Sequence, residues 1–370
     1  MANSYLSSLP VFMPDATLGV VRSLSVADLK NLGLNWLMVN SYHLWQKPGQ
    51  ELLQQVGGLK ALMKWSGFLA SDSGGFQLFS LIQKNPDLGK ITDQGIVLYT
   101  GPKKQKKLLF TPAESIRLQL AIGSDLLICL DDFTPPEADE NRIELSVKRT
   151  VSWAKQAKLE LEQQLKQQPQ RYPNKPLLMA PIQGHDHQRW RQYCADALQE
   201  IGFDLYGLGG WPIQANGHFD YQLCQFNAQL TSDDQARFAL GVGSLINITR
   251  LFFMGYQFFD CVLPTRDARH QRLYVFKTDP KQLDRQQLQT LAEKNQLEQI
   301  FDYLYISRGQ YQDDLKAISP HCDCPTCHNQ AVSRAYLHHL FQVGDSSAWR
   351  LATLHNLRTY QLLIEALRRS

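Results

Sequence analysis

An acid in the middle of an apolar run needs a chemical reason to be there. Asp260 sits within Phe258-Phe259-Asp260-Cys261-Val262-Leu263, part of an apolar stretch that begins at Leu251. Removing a lone carboxylate from water costs several kcal/mol or more, so the group must be paired, neutralised or held at a solvent-lined site. Arg266 and Arg269 follow at once, and forked guanidinium groups clamp phosphates or base edges. A carboxylate beside such cations points to chemistry on a nucleotide.

A second constellation is Cys322-Asp323-Cys324-Pro325-Thr326-Cys327, which holds three of the seven cysteines. An odd count with this crowding reads as metal ligation in a reducing compartment, not as a disulfide framework. Zinc takes four ligands at tetrahedral positions, and His321, His328, His338, His339 and His355 are all candidates for the fourth.

The elements that position these groups follow from periodicity. Apolar runs without alternation fall at 36–40, 68–72, 126–131, 177–183, 205–210, 238–243 and 258–263, with a weaker one near Val11. Such runs are the mark of strands buried on both faces of a parallel sheet. Amphipathic helical patterns lie between them at 27–34, 51–65, 113–122, 142–167, 188–201, 221–230 and 245–256. Seven or eight such repeats fit an α/β chain built as a (β/α)8 barrel. No GxGxxG follows the first strand, which argues against a dinucleotide site. The cysteine cluster and the helical tail interrupt the rhythm, so we expect a barrel over 1–305 and a metal-binding subdomain with C-terminal helices over 306–370.

Strand ends then gain significance. Asp72 and Asp131 close their runs, Asp260 lies within its own, and others end in Asn40, Gln183 and Gly209-Gly210. In a barrel the carboxyl ends of the strands build the site, so these groups are expected to converge. One of Asp131 and Asp132, with the amide of Gln183 and a Gly210 N–H, could read the donor and acceptor edge of a guanine-like base. Asp132 reads as a structural acid.

Composition bounds the rest. The 370 residues are 44% apolar with a net charge of only +3, so any nucleic-acid footprint must be local. Lys103-Lys104-Gln105-Lys106-Lys107 is one such patch. No apolar run nears the roughly 18 residues of a membrane span, and the N-terminal segment lacks the features of a secretory signal. The expectation is a cytoplasmic enzyme with no membrane association.

Taken together, DSGGFQLF (72–79), GSDLLICLD (123–131), Thr134-Pro135, Ile182-Gln183-Gly184, Gly202 to Tyr206, Gly209-Gly210, DCVLPTRDAR (260–269), SRAYLHH (333–339) and NSYHL (40–44) resemble the tRNA-guanine transglycosylase family, bacterial type. The match runs collinearly from Phe12 to the C-terminus. It implies a modified TIM barrel with a zinc subdomain. The implied activity is that of a pentosyltransferase exchanging guanine at the tRNA wobble position for a 7-deazaguanine base in queuosine biosynthesis. By the same resemblance Asp260 is the nucleophile at the ribose anomeric carbon and Asp72 the acid/base, oriented by Asn40. Asp131 and Gln183 hold the base, and Gly209 and Gly210 present backbone donors to it. Apart from the resemblance, the Trp211 carbonyl is expected to accept from an amine on the base. Arg266 and Arg269 grip the anticodon loop, with Lys103 and Lys104 as further RNA contacts. Cys322, Cys324, Cys327 and His355 hold structural Zn2+, and a homodimer is implied.

The chain departs from the bacterial pattern after Gly210, where Trp211-Pro212-Ile213-Gln214-Ala215 replaces Leu-Ala-Val-Gly-Glu. Proline has no N–H, so a peptide flip there cannot offer an amide. Phe133 also replaces a smaller residue beside Asp131. A site biased toward an amine-bearing base is expected, either 7-aminomethyl-7-deazaguanine or queuine. Two rival readings share the fold: a non-catalytic partner subunit of such an enzyme, and a retaining glycosidase.

Overall fold

The structure is a computed structural model, and it describes residues 9–100, 106–214, 216–328 and 331–369. The fold is α/β, with eight parallel strands in nearly closed barrel order. These are β1 (Val11–Pro14), β2 (Trp36–Val39), β3 (Phe68–Ser71), β7 (Leu126–Ile128), β8 (Leu177–Ile182), β9 (Leu205–Leu208), β10 (Ala236–Ala239) and β11 (Phe258–Cys261). The sheet order is β1-β11-β10-β9-β8-β7-β3-β2, in which successive barrel strands are neighbours, as in a (β/α)8 barrel. The apolar runs expected to form these strands do so.

Other strands were not evident from the sequence. β4 (Gly89–Thr92), β5 (Gly95–Thr100) and β6 (Lys106–Phe110) make an antiparallel sheet between β3 and β7 in the chain. β12 (Arg272–Phe276) and β13 (Phe301–Tyr305) form an antiparallel pair, with Tyr274 opposite Tyr303.

The chain divides into two compact units. One holds residues 17–19 and 38–240; the other holds 9–16, 20–37 and 241–369 among the described residues. In the first, helix Glu140–Gln167 buries Ile143, Val147, Ala154, Ala157 and Leu161 at helical spacing. These meet Cys194 and Leu198 of helix Gln188–Ile201 over Leu127 and Leu178. Helix Pro112–Ile122 starts at a reciprocal Thr111–Glu114 capping box with Pro112 in the first turn, and stops at Gly123 with φ 80°. The helical pattern expected over 51–65 is instead two helices, Gln50–Val56 and Leu59–Met63. Gly57 and Gly58 part them at φ 84° and 100°, a conformation that ends a helix and suits glycine. In the second unit β1 pairs with β11 in parallel, setting Met13 opposite Asp260.

Candidate active site and metal centre

In the first unit the polar groups follow the strands directly. Asp72 comes after β3, and its carboxylate is ringed by donors. Asn40 Nδ2 donates to Oδ2 at 2.6 Å, while Ser41 N (2.9 Å), Ser41 Oγ (3.2 Å) and Gly74 N (3.0 Å) donate to Oδ1. Gly74 takes φ 78°, and a Cβ there would lie 3.0 Å from Ser41 Oγ. The turn thus needs glycine to bring its amide onto the carboxylate. Asn40 is bifunctional, since its Oδ1 accepts from His43 N at 2.9 Å and caps helix Ser41–Leu44.

Asp131 and Gln183 form the second group. Gln183 Nε2 donates to Asp131 Oδ2 at 2.6 Å. Burial pushes the Asp131 carboxyl up to about 6; the Gln183 bond opposes the shift and the charge of Asp132 adds to it. Gln183 Oε1 is buried and accepts from no donor among the described residues. A buried amide oxygen without a donor is a costly arrangement that a ligand N–H would relieve. Gly210 lies alongside, with φ 90°.

Arg191, which the sequence reading did not single out, organises the backbone beneath this pair. It is fully buried, and its guanidinium donates to Ile182 O (2.9 Å), Gly209 O (2.8 Å) and Asn227 Oδ1 (2.9 Å), while Nε donates to His185 O. The Gly209 N–H itself donates to Ile182 O at 3.1 Å. Gly209 is therefore tied into the wall, which narrows the expected backbone donor to Gly210. An arginine on the amphipathic pattern 188–201 looks like a solvated helix face, so periodicity alone hid it.

Asp132 is structural, as expected. It is 1% exposed and accepts from Arg142 at 2.6 and 3.0 Å and from Arg149 at 3.2 Å. Phe133 packs against Phe76 and Phe79, each ring centroid 5.2 Å away. Trp211 is 57% exposed, Pro212 is buried, and Ile213 forms an antiparallel bridge with Phe219.

In the second unit Asp260 lies on β11 between fully buried Phe259 and buried Cys261, with its own side chain half-buried. The Gly241 N–H donates to Asp260 Oδ1 at 2.8 Å. Burial pushes the adjacent Cys261 thiol up to about 12, so that sulfur stays protonated at neutral pH. Arg266 and Arg269 lie one turn apart on helix Leu263–Arg269, Arg266 exposed and Arg269 half-buried. Burial, with the neighbouring charges of Arg22 and Arg266, lowers the Arg269 guanidinium below its usual value. Arg22, exposed and unremarked in the sequence, is thus a third cation of the cluster.

The cysteine cluster is assembled in the same unit. Ligand atoms of Cys322, Cys324, Cys327 and His355 all lie within 4.8 Å of one another, and all four residues are buried. His355 Nδ1 is 3.3 Å from Cys327 Sγ, and its Nε2 is 2.7 Å from Tyr274 O. An Nε2–H donating to that carbonyl leaves the Nδ1 lone pair facing the sulfurs, the arrangement that orients a metal-bound imidazole. The four donors fit one small tetrahedral ion. His338, the neighbour in sequence of His339, is instead buried with Nδ1 2.7 Å from Ile306 O.

Comparison with known proteins gives the frame for this geometry. The family model described as queuine tRNA-ribosyltransferase matches residues 4–370. A protein of that name from Actinobacillus succinogenes is 32% identical over 98% of this chain and 85% of its own length. Others from Mannheimia succiniciproducens (32%, 97% of this chain and 84% of theirs) and Aliivibrio salmonicida (31%, 98% and 86%) agree. The chain belongs to the queuine tRNA-ribosyltransferase family. As a member of that family it is a pentosyltransferase of the tRNA-modifying kind. Lys103 and Lys104, expected RNA contacts, lie outside the described residues. No helix among the described residues is long and apolar enough to cross a membrane.

Proposed function

We propose that the chain exchanges guanine at the wobble position of tRNA for a 7-deazaguanine base through a transient ester between Asp260 and the ribose. The observation that carries this reading is the Asp131–Gln183 pair, a carboxylate bonded to an amide whose own oxygen has no donor among the described residues. A guanine-type base supplies what is missing: a ring N–H and an exocyclic amine for the two acceptors, and a carbonyl for the Gly210 N–H.

The steps follow from the residues. The Asp260 carboxylate attacks the anomeric carbon, the C1′–N9 bond breaks, and the electron pair leaves with the base. Asp72, held by Asn40 and Ser41, delivers a proton to the departing base and removes one from the incoming base. The incoming nitrogen then displaces Asp260, so the configuration is retained, as in two-step glycoside chemistry. Arg266 and Arg269, with Arg22, hold phosphates of the anticodon loop. Cys322, Cys324, Cys327 and His355 would hold a structural Zn2+, since four protein ligands would leave no position for a reacting water. A zinc subdomain over 306–370, a homodimer and a cytoplasmic setting belong to the same proposal and rest on the family alone.

The incoming base carries an amine. Trp211 offers a carbonyl, and Pro212 has no N–H with which a flipped peptide could serve a nitrile. The test is exchange of tRNA guanine for 7-aminomethyl-7-deazaguanine, queuine and the 7-cyano analogue. Turnover of the amine-bearing bases with the nitrile rejected is expected. Equal use of the nitrile removes the carbonyl argument, and no exchange with any base removes the proposed reaction.

A further inference from the structure

The turn that holds Asp260 is itself held from behind by a residue far along the chain. Tyr360, 1% exposed on helix Ser346–Arg368, donates from its hydroxyl to Gly243 O at 2.6 Å. Gly243 is two residues beyond Gly241, whose N–H reaches Asp260 Oδ1 at 2.8 Å. Gly243 also abuts the strand: a Cβ there would fall 1.9 Å from Cys261 Cβ. The segment 241–243 is thus fixed at one end by the carboxylate and at the other by Cys261 and the Tyr360 hydroxyl. The Tyr360 ring is locked in turn, 4.7 Å from Phe12 and edge-on to Tyr274 at 5.3 Å. Tyr274 bonds Asp267 through its hydroxyl and receives the His355 imidazole on its carbonyl. Helix Ser346–Arg368 therefore carries both a ligand of the metal cluster and the group that pins the turn.

We propose that Tyr360 is a positioning residue for the nucleophile: its hydroxyl fixes the 241–243 turn so that the Gly241 N–H holds Asp260 in an attacking orientation. This rests on the reading of Asp260 as the nucleophile. A hydroxyl used only to satisfy a buried carbonyl would alter stability and nothing else. One used for alignment alters the chemical step, because small displacements of a reacting group cost rate steeply.

The experiment compares wild type with Tyr360→Phe, which keeps the ring and its packing. Rates of enzyme–RNA adduct formation and of base exchange are measured, each normalised to bound zinc and folded protein. Adduct formation and kcat are expected to fall about tenfold or more while KM for tRNA and for the base stays within about twofold. A folded Tyr360→Phe protein with wild-type kcat overturns the proposal, as does a kcat loss no greater than that of Leu363→Val, a core trimming on the same helix. Should Tyr360→Phe not fold, Val242→Gly loosens the turn between its anchors and leaves Tyr360 in place. Selective loss of kcat then supports the proposal, and unchanged kcat overturns it. If wild type itself forms no RNA adduct, it is the proposed reaction that fails, and the two failures are thereby distinguished.

Discussion

Asn40 donates to Asp72 across 2.6 Å with one end of its amide and caps the next helix at His43 with the other. The side chain that orients the carboxylate is therefore also the one that starts the helix after β2. The two duties can be separated. Serine is as good an N-cap as asparagine but is too short to reach Asp72. Asn40→Ser should change stability by about 1 kcal/mol at most and lower kcat for base exchange about tenfold or more. Denaturant unfolding beside steady-state exchange measures both. Equal small effects on each would deny Asn40 any part in orienting Asp72.

Asp131 makes a pH prediction. Burial raises its carboxyl from 3.8 to about 6, so the folded state binds that proton more tightly than the unfolded chain does. The destabilising cost of the charge is absent below about 4, grows between about 4 and 6 and is fully present above. Asp131→Asn removes it and should stabilise the protein at pH 8 by up to about 3 kcal/mol, with little gain near pH 4. The same substitution should raise KM for the base steeply, and wild-type base binding should weaken as pH falls through about 6. Urea unfolding and base titration at pH 5 and 8 check both statements.

The strands and the site were legible in the sequence to different degrees. Runs such as 126–131 and 177–183 declared themselves because a strand covered on both faces has no polar alternation to confuse with a helix. Asp72, Asp131 and Asp260 stood out because acids at the ends or middles of such runs need partners. The Gly57-Gly58 break was hidden by an apolar pattern that continues across it from Leu53 to Leu59. β4 (Gly-Lys-Ile-Thr) and the Lys106-Lys107 start of β6 look like loop, whereas the apolar Ile96-Val97-Leu98-Tyr99 of β5 is a strand signal that lies outside the β-α repeat. Arg191 and Tyr360 were invisible for a different reason. Each acts on backbone carbonyls, Arg191 on those of His185, Ile182 and Gly209 and Tyr360 on that of Gly243, and a carbonyl leaves no trace in a residue pattern.

Removal of the metal should be felt as a loss of fold. The cluster joins Cys322, Cys324 and Cys327 to a histidine in the middle of helix Ser346–Arg368. Exhaustive chelation, or His355→Ala, should cost several kcal/mol of stability, since binding to such a cluster is coupled to folding. One zinc per chain by mass spectrometry and a lowered melting temperature after chelation are expected. An unchanged melting curve in metal-free protein would count against a structural ion.

Arg266 is exposed on its helix and makes a simple test of the RNA surface. Arg266→Ala should raise KM for tRNA and reduce the slope of log affinity against log salt by about 1, with KM for the free base unchanged. Arg269 also donates to Thr265 O at 2.9 Å, so Arg269→Ala should lower stability as well. Filter binding across a salt series separates the two.

The most direct measurement is capture of the enzyme joined to RNA. Incubated with an anticodon stem-loop bearing guanine at the wobble position and quenched in denaturant, wild type should yield a covalent complex whose digestion places the ribose on Asp260. Asp260→Ala and Asp260→Asn should yield none while still binding the RNA. A complex that persists in Asp260→Ala, or a ribose attached at any other residue, would contradict the assignment of Asp260 as the nucleophile.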